Sequence, residues 1–313
     1  ESPDSSGRIL PGQYRLESGV VALEFESGSE LTVEGPAIFE VAEDESTRVI
    51  HGVALARAPS SEAGLRIDSR GLSLADPIPL IGIDARSEYS TKAVVFEGTG
   101  GVCLEEGDCR PVYENEAIKA DLTREKLVGI SFNPQPFANA WELLSGVEKN
   151  LGPVRIELPG TKIQQDENEP DVQVFVENES FQPEEALEVD QVDVGLFAAA
   201  GHNDGQKLQA EGDLRSYLLQ LWPAEGSAED DVEASLTFDH EVVGIIYSSD
   251  RLANSDQSVG TSVPHVGEEF NQGRGLDLGS DQFLLSEDRR TLNLKLRNAN
   301  QEVDQVRVLV ALN

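Results

Sequence analysis

The 313-residue chain has no methionine, two cysteines and two tryptophans, and aromatic residues make up only 6% of it. So few aromatics leave little to spare beyond what the cores of a chain this long require. Positive charge is scarce as well. Lys and Arg total 24 against 58 Asp and Glu, a net charge of −34, so the chain repels phosphate, and nucleic acid and anionic membrane surfaces are poor partners. Long hydrophobic runs are missing too: Val242 to Tyr247 and Val306 to Leu312 fall far short of the roughly 20 residues that a membrane helix needs. No membrane insertion is expected. The chain starts at Glu1 without a basic-then-apolar segment, which fits an exported protein whose signal peptide has been removed. A leader removed during preparation would leave the same start.

The two cysteines lie close together in Val102-Cys-Leu-Glu-Glu-Gly-Asp-Cys-Arg110. A Glu-Glu-Gly-Asp turn would bring Cys103 and Cys109 within disulfide reach across a hairpin, and a disulfide implies an oxidising compartment. The competing readings are a metal pair, which lacks the further ligands zinc takes, and two separate thiols.

What is present reads as strand after strand. Tyr14-Arg-Leu-Glu-Ser-Gly-Val-Val-Ala-Leu-Glu-Phe-Glu26 alternates apolar and polar, Ser27-Gly-Ser turns, and Leu31-Thr-Val begins again, a meander of ordinary strand lengths. Pro136 to Gly146 is the one helical segment, with Phe137, Trp141 and Leu144 on one face and Gly146 as a stop signal. That face is either a ligand platform or the underside of a helix closing the end of a β domain. Breaker-rich, polar residues 164–171 mark a boundary, after which short strands at regular spacing resume, as a sandwich requires. The expected architecture is therefore all-β: a meander domain over 1–130, a helix and connecting segment over 131–165, and a β-sandwich over 166–313. No fixed-period repeat is present.

The first half resembles the FecR-type domain of exported bacterial proteins, in the version common in planctomycetes. The matching residues are Pro11-Gly-Gln-Tyr-Arg-Leu-Glu-Ser-Gly-Val-Val-Ala-Leu-Glu-Phe-Glu-Ser-Gly-Ser-Glu-Leu-Thr-Val-Glu-Gly-Pro-Ala-Ile-Phe-Glu-Val41, then Val94-Val-Phe-Glu-Gly98 and Glu114-Asn-Glu-Ala117. The resemblance spans roughly residues 8 to 122 and places Gly35-Pro36 at a turn and Gly98 at a bend. It implies an all-β scaffold outside the cytoplasm, without the membrane anchor and anti-sigma segment that usually accompany it. The second half is similar to an uncharacterised β module of secreted, surface-associated bacterial proteins, through Ser216-Tyr-Leu-Leu-Gln-Leu221, Leu236-Thr-Phe-Asp-His-Glu-Val-Val-Gly-Ile-Ile246, Arg274-Gly-Leu-Asp-Leu278, Leu292-Asn-Leu294 and Val303-Asp-Gln-Val-Arg-Val-Leu309.

Motifs for chemistry are missing: there is no Gly-x-Ser-x-Gly, His-Glu-x-x-His, Gly-x-Gly-x-x-Gly or phosphate loop. The histidines His51, His202, His240 and His265 are scattered, although His240 lies between acids in Phe238-Asp-His-Glu241. Neither an enzyme nor a required cofactor is expected. Calcium is the ligand the composition favours, because it takes carboxylate and carbonyl oxygens from loops. The candidate ligands are Asp166, Glu167, Glu169 and Asp171 in one loop and Asp250 and Asp256 in another, with Glu229-Asp-Asp231 as a third acidic stretch. The function expected is that of a non-enzymatic extracellular structural protein, a self-associating subunit of a filament or surface assembly. The alternative is a carbohydrate-binding or adhesion module that meets extracellular polysaccharide through Trp141 and Trp222 with Tyr217 and Tyr247.

Overall fold

A computed structural model describes residues 9–44, 46–58, 65–76, 78–105, 107–161, 171–198, 204–209, 212–222, 231–260, 274–277, 279–297 and 303–312. The chain is mostly β-sheet and divides into two compact units, Glu1–Leu144 and Ser145–Asn313. The segment 131–165, expected as a helix and connection, is shared between them.

The first unit contains β1 (Gly12–Leu16), β2 (Val20–Glu24), β3 (Glu30–Val41), β4 (Thr47–Arg57), β5 (Ile67–Ser69) and β6 (Ser73–Leu74). It continues with β7 (Leu80–Ser87), β8 (Ser90–Glu97), β9 (Thr99–Cys103), β10 (Cys109–Tyr113), β11 (Glu116–Asp121) and β12 (Lys126–Ile130). Nine strands form one sheet in the order β1-β3-β4-β7-β8-β11-β12, with β2 beside β3 and β5 beside β4, while β10-β9-β6 form a smaller sheet. The alternation seen in the sequence sorts the faces. Leu31 and Val33 of β3, Ile81 and Ile83 of β7, and Ala93 and Val95 of β8 point into a core that also takes Leu74, Val102 and Val112 from the small sheet.

On the other face of β7, Gly82 leaves room for Phe137, whose ring would lie 2.5 Å from a Cβ there. Phe137 closes a 3-10 turn (Gln135–Phe137) that runs into α1 (Ala138–Leu144). Phe137, Trp141 and Leu144 are all buried, as the spacing predicts. Gly35-Pro36 does not form the expected turn. It lies within β3, where the register against β4 slips between Glu34 and Ile38, because proline cannot donate to the ladder and the strand accommodates it as a bulge.

The second unit contains β13 (Val147–Leu151), β14 (Val154–Ile156), β15 (Val172–Phe181), β16 (Leu187–Val189), β17 (Gly195–Ala198), β18 (Gln206–Leu208) and β19 (Leu214–Leu221). After these come β20 (Asp231–Phe238), β21 (Val242–Ile246), α2 (Ser249–Val259), β22 (Arg274–Gly275), β23 (Gln282–Leu285), β24 (Thr291–Arg297) and β25 (Val303–Ala311). One sheet runs β13-β20-β24-β23-β17; the other runs β14-β15-β19-β25-β21, with β22 beside β25. Both contribute to a single core, with Leu236, Leu294 and Phe283 from the first and Val174, Leu219 and Val308 from the second, so the unit is a sandwich. Helix α2 occupies Ser249–Val259, the stretch expected as a calcium loop. Leu252 and Val259 are buried in a satellite cluster with Val189, Ile246 and Leu309 on the outer side of the second sheet.

Candidate functional site

The cysteine pair is a disulfide. Cys103 and Cys109 are direct partners in the β9–β10 register and their sulfurs are bonded, so the reading as a metal pair or separate thiols is set aside. Arg48 donates to Glu105 at 2.5 Å and ties the hairpin tip to β4.

The tryptophan platform is overturned. Trp141 is 1% exposed and Trp222 5%, so neither offers a face to a sugar. The helical spacing that singled out Trp141 is that of a buried face.

The calcium loops also need correction where the structure describes them. Asp166, Glu167 and Glu169, together with Glu229, lie outside the described residues, and Asp171 directly precedes β15. Asp250 sits in the first turn of α2, and Asp256 on the same helix accepts bonds from Arg274 (2.6 and 3.3 Å) and Arg307 (2.7 Å). A helix spreads these two carboxylates instead of folding them round an ion, and Asp256 is already engaged by guanidinium groups.

Carboxylates converge elsewhere. Asp277, Asp281 and Asp304 bring one oxygen each to within 4.8 Å of one another, with Asp281 and Asp304 buried. This is the donor chemistry calcium takes, and the sequence offers no cue for it because the third acid comes from a distant strand. The Asp281 carboxylate accepts the backbone N–H groups of Asp277 (2.5 Å) and Arg297 (2.9 Å). Burial, helped by the Asp277 charge, outweighs those bonds and pushes its carboxyl above the usual range.

The largest constellation of polar groups lies on the outer side of the β15-β19-β25 sheet. Gln173, Gln220 and Gln305 occupy one register row, and their amides bond head to tail. Gln305 donates to Gln220 at 2.6 Å, Gln220 to Gln173 at 3.3 Å, and Gln173 to Glu157 at 3.0 Å, while Arg274 donates to Gln305 at 2.8 Å. Such a chain polarises in one direction, from guanidinium to carboxylate. Beside it, Arg307 is fully buried and grips Glu177 with two bonds, 2.6 and 2.9 Å. Its remaining donors reach the Leu252 carbonyl (3.1 Å) and the Ser255 hydroxyl (2.5 Å) on α2. Burial opposes the Arg307 charge, and Glu177 and Asp256 more than offset that, holding the guanidinium more firmly protonated than usual.

The start of α2 is held from a distance. The buried Asp190 carboxylate accepts the backbone N–H of Tyr247 (2.7 Å) and of Ser248 (2.8 Å), the Ser248 hydroxyl (2.9 Å) and Arg251, as a capping side chain would. In chemical terms these groups bind a helix to a sheet. The guanidinium groups are engaged as donors and the carboxylates as acceptors.

His240 approaches Asp239 (Nδ1 to Oδ1, 3.1 Å), and Asp239 accepts from Arg215 (3.1 Å). Arg215 in turn donates to the Tyr217 hydroxyl, which donates to the Ser145 carbonyl at 2.9 Å. Burial pushes the Tyr217 phenol up to about 12, so at neutral pH it is a hydrogen-bond donor and not a nucleophile. His51 lies in β4, whereas His202 and His265 are outside the described residues.

A different surface lies on the outward face of the β13-β20-β24-β23-β17 sheet. The register aligns Leu151, Ser235, Asn293, Leu284 and Leu196 in a single row from one edge to the other. Leu151 is 57% exposed, Leu196 68% and Leu284 39%, and Val194 beside them is 38% exposed. Between these apolar side chains lies a shallow groove of about 390 Å³ floored by Ser235 and Asn293. The acids of this face have partners within the unit, Asp231 (2.9 Å) and Glu233 (3.6 Å) sharing Lys295 and Glu148 bound by Arg290 (2.6 Å), and Lys149 stands opposite Thr237 in the register.

No protein-family model and no curated protein sequence matches the chain. Two crystal structures of a provisionally named anti-sigma factor from Parabacteroides distasonis share 11% and 12% identity with it. They match over 45% and 46% of this chain and 66% and 67% of the other, with a TM-score of 0.35 in both cases. The chain thus spans about two thirds of the length of those neighbours.

Proposed function

We propose that this protein is a non-enzymatic structural component of an extracellular surface, and that it acts by contact. The observation that carries the reading is the division of labour in the second unit. Its buried ionisable groups are spent on holding α2 and the sheets together, whereas a row of exposed leucines crosses the outward face of the opposite sheet. Apolar side chains gathered on one patch mark an interaction surface. The disulfide supports a location in an oxidising compartment, and the FecR-type resemblance of residues 11–41 supports the same placement. The acidic surface supports a partner other than nucleic acid or anionic lipid.

The carbohydrate reading rested on Trp141 and Trp222 with Tyr217 and Tyr247; the first three are buried and the half-buried Tyr247 packs against the sandwich core, which leaves it little to present to a sugar. A required cofactor has no part in the reading. Electron microscopy and light scattering of the material from its native source test it. Fibres, sheets or other ordered assemblies containing this chain are the expected result; a chain that stays monomeric across protein and salt concentrations counts against it.

A further inference from the structure

The outward face of the β13-β20-β24-β23-β17 sheet has a shape that fits one occupant in particular. Across its central row the side chains read large, small, small, large, large: Leu151, Ser235, Asn293, Leu284, Leu196. We infer that a second copy of this chain packs face to face on this sheet, about a two-fold axis parallel to the strands and passing between β24 and β23. This inference rests on the reading of the protein as a contact-forming structural component and names the partner.

The register decides where the axis runs. A rotation between β24 and β23 carries β20 over the partner's β17 and β24 over its β23. Leu196 of one copy then enters the groove over Ser235 of the other, and Leu284 covers Asn293, and the symmetry repeats both contacts. Apolar knobs enter the small-residue groove of about 390 Å³ instead of meeting other knobs. The neighbouring rows are compatible as well. On one side Lys295 faces Gln282, by the pairing Lys295↔Gln282. On the other side Val194 comes over Thr237. No like charges are opposed.

An axis centred on β24 fails on both counts, since it would set Leu151 against Leu196 and Lys295 against its own copy. Charge argues for this face over the rest of the molecule. In a chain of 24 cations against 58 acids, it is a surface where three acids, Asp231, Glu233 and Glu148, stand beside three cations, Lys295, Arg290 and the Lys149 that the register sets opposite Thr237, so a second copy approaches a face near charge balance.

The contact is small. With strands about 4.8 Å apart and a rise of about 3.4 Å per residue, four strands by five residues cover roughly 330 Å² per copy, under half of the ~800 Å² per partner in a typical stable complex. The pair therefore forms where copies are concentrated, as in an assembly, and separates on dilution.

The test is cysteine cross-linking, which is clean because Cys103 and Cys109 are bonded to each other and no free cysteine is present. Asn293→Cys lies next to the proposed axis, and a short bis-maleimide should join two copies through it at high protein concentration. Glu188→Cys, exposed on β16, should not be joined. Adding Leu196→Glu to Asn293→Cys should abolish the dimer; because Leu196 is 68% exposed, the fold should survive, as circular dichroism would verify. If the native chain self-associates by light scattering but Asn293→Cys yields no more dimer than Glu188→Cys, this face is wrong and the structural reading stands. If the native chain stays monomeric at every concentration, both fall. Cross-linking that persists with Leu196→Glu also overturns the proposal.

Discussion

The two units bury different things. In the first, the nine-stranded and three-stranded sheets close on a core of aliphatic and aromatic side chains, and the helical passage lays Phe137 against Gly82 of β7 and Phe96 of β8, with Trp141 buried as well. In the second, the sandwich core is equally apolar, but the far side of one sheet is covered by a polar helix held by ions and amides. A helix of sequence Ser-Asp-Arg-Leu-Ala-Asn-Ser-Asp-Gln-Ser-Val has too few apolar residues to bind by burial alone, so it is fixed at several points by Asp190, Arg274 and Arg307. The first unit should accordingly respond to lost volume and the second to lost charge.

Two substitutions, one disulfide reduction and one pH series would sharpen or break that contrast. The largest effect is expected in the second unit. Arg307→Met removes a guanidinium from a site where Glu177 is fully buried, and leaving a buried charge uncompensated costs about 3–5 kcal/mol. Hydrogen exchange should show α2 and β25 losing protection while β3, β4 and β7 keep theirs; uniform loss in both units would deny the division. Next, Phe137→Ala in the first unit should cost about 3–4 kcal/mol, as for an aromatic truncated in a packed site, and this loss should not vary with pH between 5 and 8. A pH-dependent loss would mean that charge is involved there too. Third, reducing Cys103–Cys109 should destabilise the first unit by about 2 kcal/mol, since the loop it closes is short; an unchanged denaturation midpoint would make the bridge incidental.

The smallest effects concern two aspartates whose shifts have opposite signs. Burial works to raise Asp84, but bonds from Arg86 and the charges of Arg86 and Lys92 overcome it and hold the carboxyl below its ordinary value. A depressed carboxyl lends stability above the unfolded value of about 3.9, and loses it as pH falls through the lower folded value. Asp281 is raised, so its contribution favours folding below the unfolded value and is lost as pH rises through the higher folded one. At neutral pH, then, Asp84→Asn should cost about 1 kcal/mol, with its partners half in solvent, whereas Asp281→Asn should be neutral or stabilising. Thermal melts of both variants at pH 3 and pH 7 check the signs; the same direction for both would refute the assignment.

How much could be read from the sequence follows the same division. Strands such as β20 and β24 were legible because one side faces the core and alternation survives in the residues. The disulfide was legible because its partners are six residues apart. The buried network was not. Arg307 sits inside an apolar run, and the groups it binds are 51 to 130 residues away, a distance over which no local pattern operates. Helix α2 was missed for a related reason: its polar sequence reads as a loop, and it becomes helical because Asp190 satisfies its entry and arginines from other strands hold Asp256. At Trp141 the pattern left two roles open, a ligand platform or the underside of a helix, since helical spacing marks a shared face without saying whether that face meets ligand or core; burial decides against the platform. The leucine row is visible only once register aligns five strands from four stretches of chain.

Sedimentation velocity of the purified chain over a wide concentration range, beside Leu196→Glu, tests the central claim that this protein works by contact through its second unit. The account predicts a sedimentation coefficient that rises with concentration for the native chain and stays at the monomer value for the variant. A native chain that sediments as a monomer throughout, or a variant that associates as well as the native chain, would contradict it.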